Sequence, residues 1–139
     1  MTTDPHNLQR LVAAQAGVYS RVLAELRAGQ KQSHWMWFIF PQIRGLGSSS
    51  TAQKYAIQSM AEARAYLAHP VLGPRLRECT QLVNAINGRS IEAIFEFPDN
   101  LKFHSCITLF GHICQEPVFI DALNKYFNRE TDCKTLALL

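Results

Sequence analysis

The chain lacks a basic cluster, a long apolar run, closely paired cysteines and any complete phosphate-binding loop, and each absence removes a class of function. Its 14 Lys and Arg exceed its 11 Asp and Glu for a net charge of +3. They are scattered, as at Arg10, Arg21, Arg27, Lys31, Arg44 and Lys54. Proteins that neutralise many phosphates carry a concentrated basic stripe, so no nucleic-acid partner is expected. The longest wholly apolar run, Trp35 to Pro41, is far short of the ~20 residues that span a bilayer. No membrane partner is expected. Met1 to Leu11 contains Asp4 and no apolar core, so it does not read as a signal peptide. Cys79, Cys106, Cys114 and Cys133 form no C-x-x-C. That spacing reads as reduced, mostly buried thiols in a cytoplasmic protein.

Two further absences concern cofactors. The loop Gly45-Leu46-Gly47-Ser48 has neither the lysine of a Walker loop nor the third glycine of a dinucleotide fold. His104-x-Cys106 and His112-x-Cys114 diverge by ~200° on a helix, so neither pair can chelate. No metal and no cofactor are expected.

What is present is the means to fill a core. In 139 residues, 47 % are apolar and 18 % charged, which fits one compact globular domain over residues 1–139. Asp4 and Pro5 open a helix whose stripe runs through Leu8, Leu11, Val12, Val18, Tyr19, Val22, Leu23 and Leu26 to a cap at Gly29. Ser50 with Gln53 and Ser59 with Glu62 have the form of capping boxes. His69-Pro70 ends the second of these helices. Further helices are predicted from about Pro74 to Gly88, over Ile91 to Phe95 behind Ser90, and over Asn100 to Cys114 behind Asp99. The last two are predicted from Pro117 to Phe127 and after Asp132. The fold class is therefore all-α, about seven helices, with a buried aromatic segment threaded against them.

That segment carries the chemistry. Both tryptophans and two phenylalanines fall in Trp35-Met36-Trp37-Phe38-Ile39-Phe40, flanked by Lys31, Ser33, His34 and Gln42. Its periodicity does not choose between an extended, irregular or short helical form. Flat aromatic walls with a few polar groups at the rim suit a planar ligand; equally, such residues serve as a core plug. His34 is either a general base, the role histidine most often takes in proton transfer, or a structural hydrogen-bonder. Ser49, before the next helix, belongs either to an anion seat or to simple capping. On the helix behind Asp99, Ser105, Thr108 and His112 share one arc, while Lys102 points into the apolar arc. A lysine there either snorkels to solvent or holds an anionic ligand in a pocket.

Nearly the whole chain resembles a bacterial family of domains of unknown function, number 1810, some of whose members carry a calpastatin-like label. The resemblance rests on Leu8-Gln9-Arg10 with Gln15 and Tyr19, and on Lys31-x-Ser33-His34-Trp35-Met36-Trp37-Phe38-Ile39-Phe40-Pro41-Gln42. It continues in Ser49-x-x-Ala52-x-x-Tyr55-Ala56-Ile57, Glu62-Ala63, Tyr66-Leu67 and His69-Pro70-Val71-Leu72-Gly73-Pro74-Arg75-Leu76. Asp99-x-Leu101-Lys102-x-x-Ser105 and Thr108-Leu109-Phe110 complete it, although Cys106 stands where the family tends to a small residue. The calpastatin label implies a disordered inhibitor, which this composition does not fit. A fainter similarity, in the aromatic block, Ala52-Gln53 and a His-Pro-x-Leu segment, is to NADAR domains. That resemblance implies a link to ADP-ribose and NAD metabolism.

Two functions from different classes follow. One is a pocket enzyme or binder for a nucleotide-like small molecule, ADP-ribosyl or N-glycosidic, as in a hydrolase. Here His34 or Glu62 handles protons, and Lys31, Ser33, Trp35, Trp37, Gln42, Ser49, Tyr55, Lys102 and Ser105 bind the ligand. The other is a non-catalytic ligand-sensing or protein-interaction module whose aromatic block is core or interface. The oligomeric state is not legible in the sequence.

Overall fold

The computed structural model describes residues 3–139; Met1 and Thr2, over which the signal-peptide expectation extends, lie outside the described residues. Among the described residues there are ten helices, and the only β-type pairing is a parallel bridge between Ile43 and Ile57. The all-α expectation holds, with more helices than about seven for two local reasons.

The first predicted helix is two, α1 (Gln9–Gln15) and α2 (Tyr19–Arg27). The helix is interrupted at Gly17, whose φ of +80° belongs to the left-handed region that favours glycine. Helix α1 starts at Gln9 behind Leu8 rather than at Pro5, although the Asp4 carboxylate still accepts from the N–H groups of Leu8 (2.8 Å) and Gln9 (2.9 Å) at its start. The aromatic block supplies the second addition, a single turn α3 (Met36–Ile39) that ends before Pro41.

The remaining helices begin close to their sequence signals. In α4 (Ser50–Tyr55) the cap is Ser49 rather than Ser50, accepting from the Ala52 N–H at 3.1 Å. Ser59 caps α5 (Met60–Ala68), Ser90 caps α7 (Ile91–Ile94), and Asp132 caps α10 (Cys133–Ala137). Helix α6 (Leu72–Asn84) starts where the His69 imidazole Nδ1 accepts from the N–H groups of Val71 and Leu72. Pro117 opens α9 (Pro117–Phe127), where its missing N–H leaves no bond unmade.

Helix α8 (Asp99–Cys114) is the centre of the molecule. It packs on α9, α5, α10, α3 and α7, and an unbroken stretch from Ser105 to Gly111 is buried. Phe103 sits edge-on to Phe40 (centroids 5.0 Å, 89°), and Phe95 edge-on to Phe40 (5.7 Å, 73°). Each such pair contributes ~0.5–1.5 kcal/mol beyond its burial. This cluster anchors the aromatic block at its Phe40 end. No helix of the described residues is long and apolar enough to cross a membrane.

Candidate functional site

Helix α2 ends at Gly29, whose φ of +79° turns the chain away from the helix axis. The following loop, residues 30–34, has little apolar content and is held by a buried carboxylate, Glu25. Glu25 Oε1 accepts from the Gln32 N–H (2.7 Å), the Ser33 N–H (2.9 Å) and the Trp35 indole N–H (3.0 Å). Its Oε2 accepts from the Ser33 hydroxyl at 2.5 Å. Burial by itself would raise the Glu25 pKa, but these donors outweigh it and bring the group down to about 2. At the loop's start, the Lys31 N–H donates to the Ile94 carbonyl at 2.9 Å, tying it to the end of α7.

The side chains this loop presents meet the first turn of α8 in a cleft of about 420 Å³. Lys31, Gln32, His34 and Trp37 line it from the α2–α3 loop and α3, and Glu96, Phe97, Pro98, Asp99 and Lys102 from the α7–α8 turn and α8. Asp99 was expected to cap α8, but its side chain makes no cap bond. Its carboxylate bridges the two lysines instead, Oδ2 to Lys31 Nζ at 2.8 Å and Oδ1 to Lys102 Nζ at 3.2 Å. Each ammonium also lies over an indole, Lys31 at 5.3 Å from the Trp35 centroid and Lys102 at 4.4 Å from that of Trp37. Such contacts are worth ~0.5–2 kcal/mol and fix the direction of flexible side chains. Lys102 therefore sits in a pocket. Two cations against one carboxylate leave the lysine–aspartate group one positive charge in excess.

The structure brings Lys31, His34, Trp37 and Lys102 to this cleft and places the other candidates elsewhere. Trp35 is 1 % exposed, packed on Phe40 and Phe95, and stacks on no ligand from there. The Ser33 hydroxyl is committed to Glu25. Ser105 is buried, and its hydroxyl lies 3.0 Å from both the Leu101 carbonyl and Asp132 Oδ2, sharing its one proton between these acceptors, which docks α10 on α8. Gln42 serves through its carbonyl, which accepts from the Ile57 N–H at 2.8 Å. Ser49 is a helix cap, and Tyr55 packs its ring on Phe38 at 5.4 Å. None of Trp35, Ser33, Ser105, Gln42, Ser49 or Tyr55 lines the cleft.

Glu62 is 2 % exposed and its Oε2 meets Arg10 at 2.8 Å. That arginine also donates to the carbonyls of Lys54, Ala56, His6 and Asn7. Glu62 and Arg10 thus clamp the start of α1 to the α4–α5 junction, and Glu62 lines no part of the His34 cleft.

Sequence reasoning passed over Glu25, Glu96 and Phe97. Glu25 carried a signal: it lies three residues after Val22 and next to Leu26, so a carboxylate falls within the apolar stripe of α2. Phe97, 75 % exposed, carried none, because its exposure depends on the path of the α7–α8 turn.

The proteins described as "Protein of unknown function (DUF1810)" form a family whose pattern matches residues 5–139. The chain belongs to this family. The crystal structure of the conserved hypothetical protein Rv1873 from Mycobacterium tuberculosis is 55 % identical in sequence and superposes with a TM-score of 0.97. The match covers 98 % of this chain and 98 % of that chain. A search of curated proteins finds no match. The family match covers the aromatic block from which the resemblance was read, whereas none of these matches bears on the similarity to NADAR domains.

Proposed function

We propose that the Lys31–His34–Trp37–Lys102 cleft binds a nucleotide-like small molecule, with a planar ring on Trp37 and an anionic group at the two lysines. The observation that carries this reading is the pair of ammonium groups, each held over an indole and joined by one carboxylate, at the edge of a cavity that also contains His34. At about 420 Å³ the cleft lies within the ~300–1,000 Å³ range of small-molecule sites. Phe97, which is exposed, adds a second aromatic to the lining that holds the half-buried Trp37. Free thiols at Cys79, Cys106, Cys114 and Cys133 fit a cytoplasmic setting, where nucleotides are abundant.

In the enzymatic form of this reading the ligand is an ADP-ribosyl or N-glycosidic compound and the reaction its hydrolysis. His34 then moves the proton, with Glu96 as the carboxylate at the same cleft. A non-catalytic sensor is favoured by one specific feature: Asp99, the carboxylate nearest the lysines, is paired with both and is not free to act as a base.

Thermal unfolding with ADP-ribose, NAD and nucleosides tests the reading. A ligand present at ~100 times its Kd stabilises the fold by ~2.7 kcal/mol. Lys102→Ala is expected to abolish that shift while lowering the unliganded stability by no more than ~2 kcal/mol, the scale of its contact with Trp37. If no nucleotide-like compound shifts the wild type, the proposal fails. With binding in hand, product analysis separates the two forms: turnover lost in His34→Ala marks an enzyme, and binding without turnover marks a sensor.

A further inference from the structure

We infer that Asp99 is the charge selector of this cleft: by neutralising one of two lysines it sets the site for a ligand with a single negative charge near the ammonium groups, and against a dianion. The inference rests on the proposed binding function and adds to it the charge class of the ligand.

Three observations carry it. Asp99 lies between Lys31 and Lys102, using one carboxylate oxygen for each, so both ammonium groups share it as counter-ion. All three side chains are largely enclosed, with exposures of 9 % for Lys31, 19 % for Lys102 and 19 % for Asp99. Solvent therefore screens their mutual field less than on an open surface. Finally, neither lysine can swing away freely, because each is seated on an indole face. A ligand anion must approach these cations with the Asp99 carboxylate still beside it. Glu96, the other carboxylate of the cleft, is exposed and pairs with neither lysine, so the charge balance at the ammonium groups is set by Asp99. A monoanion there meets a net attraction, whereas the second charge of a dianion meets the Asp99 carboxylate without a cation left to balance it.

Asp99 is thus a specificity-determining residue rather than a catalytic one, and its effect should depend on ligand charge instead of ligand shape. Cyclic AMP, a phosphodiester monoanion, and 5′-AMP, close to a dianion above its second pKa of ~6, carry the same base and sugar. Adenosine is the uncharged control and inorganic sulfate the dianion without a ring. Affinities are measured by calorimetry at low salt and about pH 8 for the wild type, Asp99→Asn and Asp99→Glu.

The wild type is expected to favour cyclic AMP over 5′-AMP. Asp99→Asn, which keeps the side-chain shape, should raise affinity for 5′-AMP and sulfate by about tenfold or more relative to adenosine, the scale of one unit charge a few ångströms away. Asp99→Glu should restore the wild-type preference. Equal changes for adenosine, cyclic AMP, 5′-AMP and sulfate in Asp99→Asn would overturn the inference, as would a wild type that already prefers the dianions. The two claims separate cleanly. If sulfate affinity rises in Asp99→Asn while no adenine compound binds any variant, charge selection stands and the nucleotide reading falls.

Discussion

The indole N–H of Trp35 donates to the carboxylate of Glu25 at 3.0 Å, so the buried tryptophan of the block and the buried acid of α2 hold each other in place. The same carboxylate accepts from Gln32 and Ser33, and the loop that presents Lys31 and His34 is therefore fixed from beneath. Because the folded Glu25 lies near 2 instead of 4.5, its contribution is complete above the unfolded value and fades as the pH falls from about 4.5 toward 2. The difference corresponds to ~3 kcal/mol. Glu25→Gln, which turns one acceptor into a donor facing donors, should lose ~2–4 kcal/mol near neutrality. Urea melts at a series of pH values check both points. The gap between wild type and Glu25→Gln should narrow below about pH 4, and a gap independent of pH would refute the account.

The two tryptophans should separate by experiment into a core residue and a site residue. Trp35→Ala removes a side chain packed on Phe40 and Phe95 and should cost ~3–5 kcal/mol. Trp37 is only half-buried and lines the cleft, so Trp37→Ala should cost under ~1.5 kcal/mol and weaken ligand binding. In Trp35→Phe the emission comes from Trp37 alone, and adenosine titration should quench it. Equal losses of stability at the two positions would remove the distinction.

Several helix starts were legible in the sequence through a cap or a proline. Ser59, Ser90, Pro117 and Asp132 all stand where their helices begin. The break at Gly17 was not legible, since the apolar stripe of α1 continues in phase into α2 and only the positive φ reveals the turn. At the site, Lys31, His34 and Trp37 stood out because polar groups beside large aromatics are unusual, and Lys102 because a lysine in an apolar helical arc is unusual. Asp99 was misread because an acid at a helix start is as good a cap as it is an ion-pair partner. Only the fold brings Lys31 from the α2–α3 loop to it. Ser105 and Glu62 show the reverse error, in which a polar residue of attractive chemistry serves packing.

Arg10 and Glu62 should behave as a structural pair. Glu62 is nearly fully buried, and removing its partner leaves an uncompensated charge, which costs ~3–5 kcal/mol. Glu62→Ala, Arg10→Ala and the double variant, compared by chemical denaturation, should give a coupling energy of ~1–3 kcal/mol. Purified Glu62→Ala, measured below its melting temperature, should bind cleft ligands as the wild type does. Loss of binding in a folded Glu62→Ala would instead tie this carboxylate to the site.

Gly73 is required by close approach rather than by backbone angle. A Cβ added there falls 2.2 Å from the Leu67 carbonyl oxygen, at the tight α5–α6 junction. Backbone cannot yield as a flexible side chain does, so Gly73→Ala should destabilise by ~1–3 kcal/mol despite the better helix propensity of alanine. Gly88→Ala is the contrast: nothing lies within 4 Å of its added Cβ, and only its φ of +75° opposes the change, at about 1 kcal/mol. Thermal melts that rank the two variants in the opposite order would contradict this packing.

The thiols should react in an order set by burial. Burial pushes Cys106 well above the ordinary thiol range and Cys79 up to about 12, the latter against a weak opposing hydrogen bond with the Tyr19 hydroxyl. At about pH 8 a thiol with a pKa near 12 is ionised to roughly one part in ten thousand, and the thiolate is the reactive form. Cys114 is half-buried and its Sγ donates to the Phe110 carbonyl at 3.1 Å, while Cys133 is exposed at the start of α10. An aromatic disulfide reagent should therefore modify Cys133 first, Cys114 more slowly, and Cys79 and Cys106 only as the fold opens. The slow phase should follow the unfolding equilibrium and accelerate in Glu62→Ala by the factor its stability loss dictates. Peptide mapping that finds Cys106 labelled as fast as Cys133 would mean that α8 is not the closed centre of the molecule.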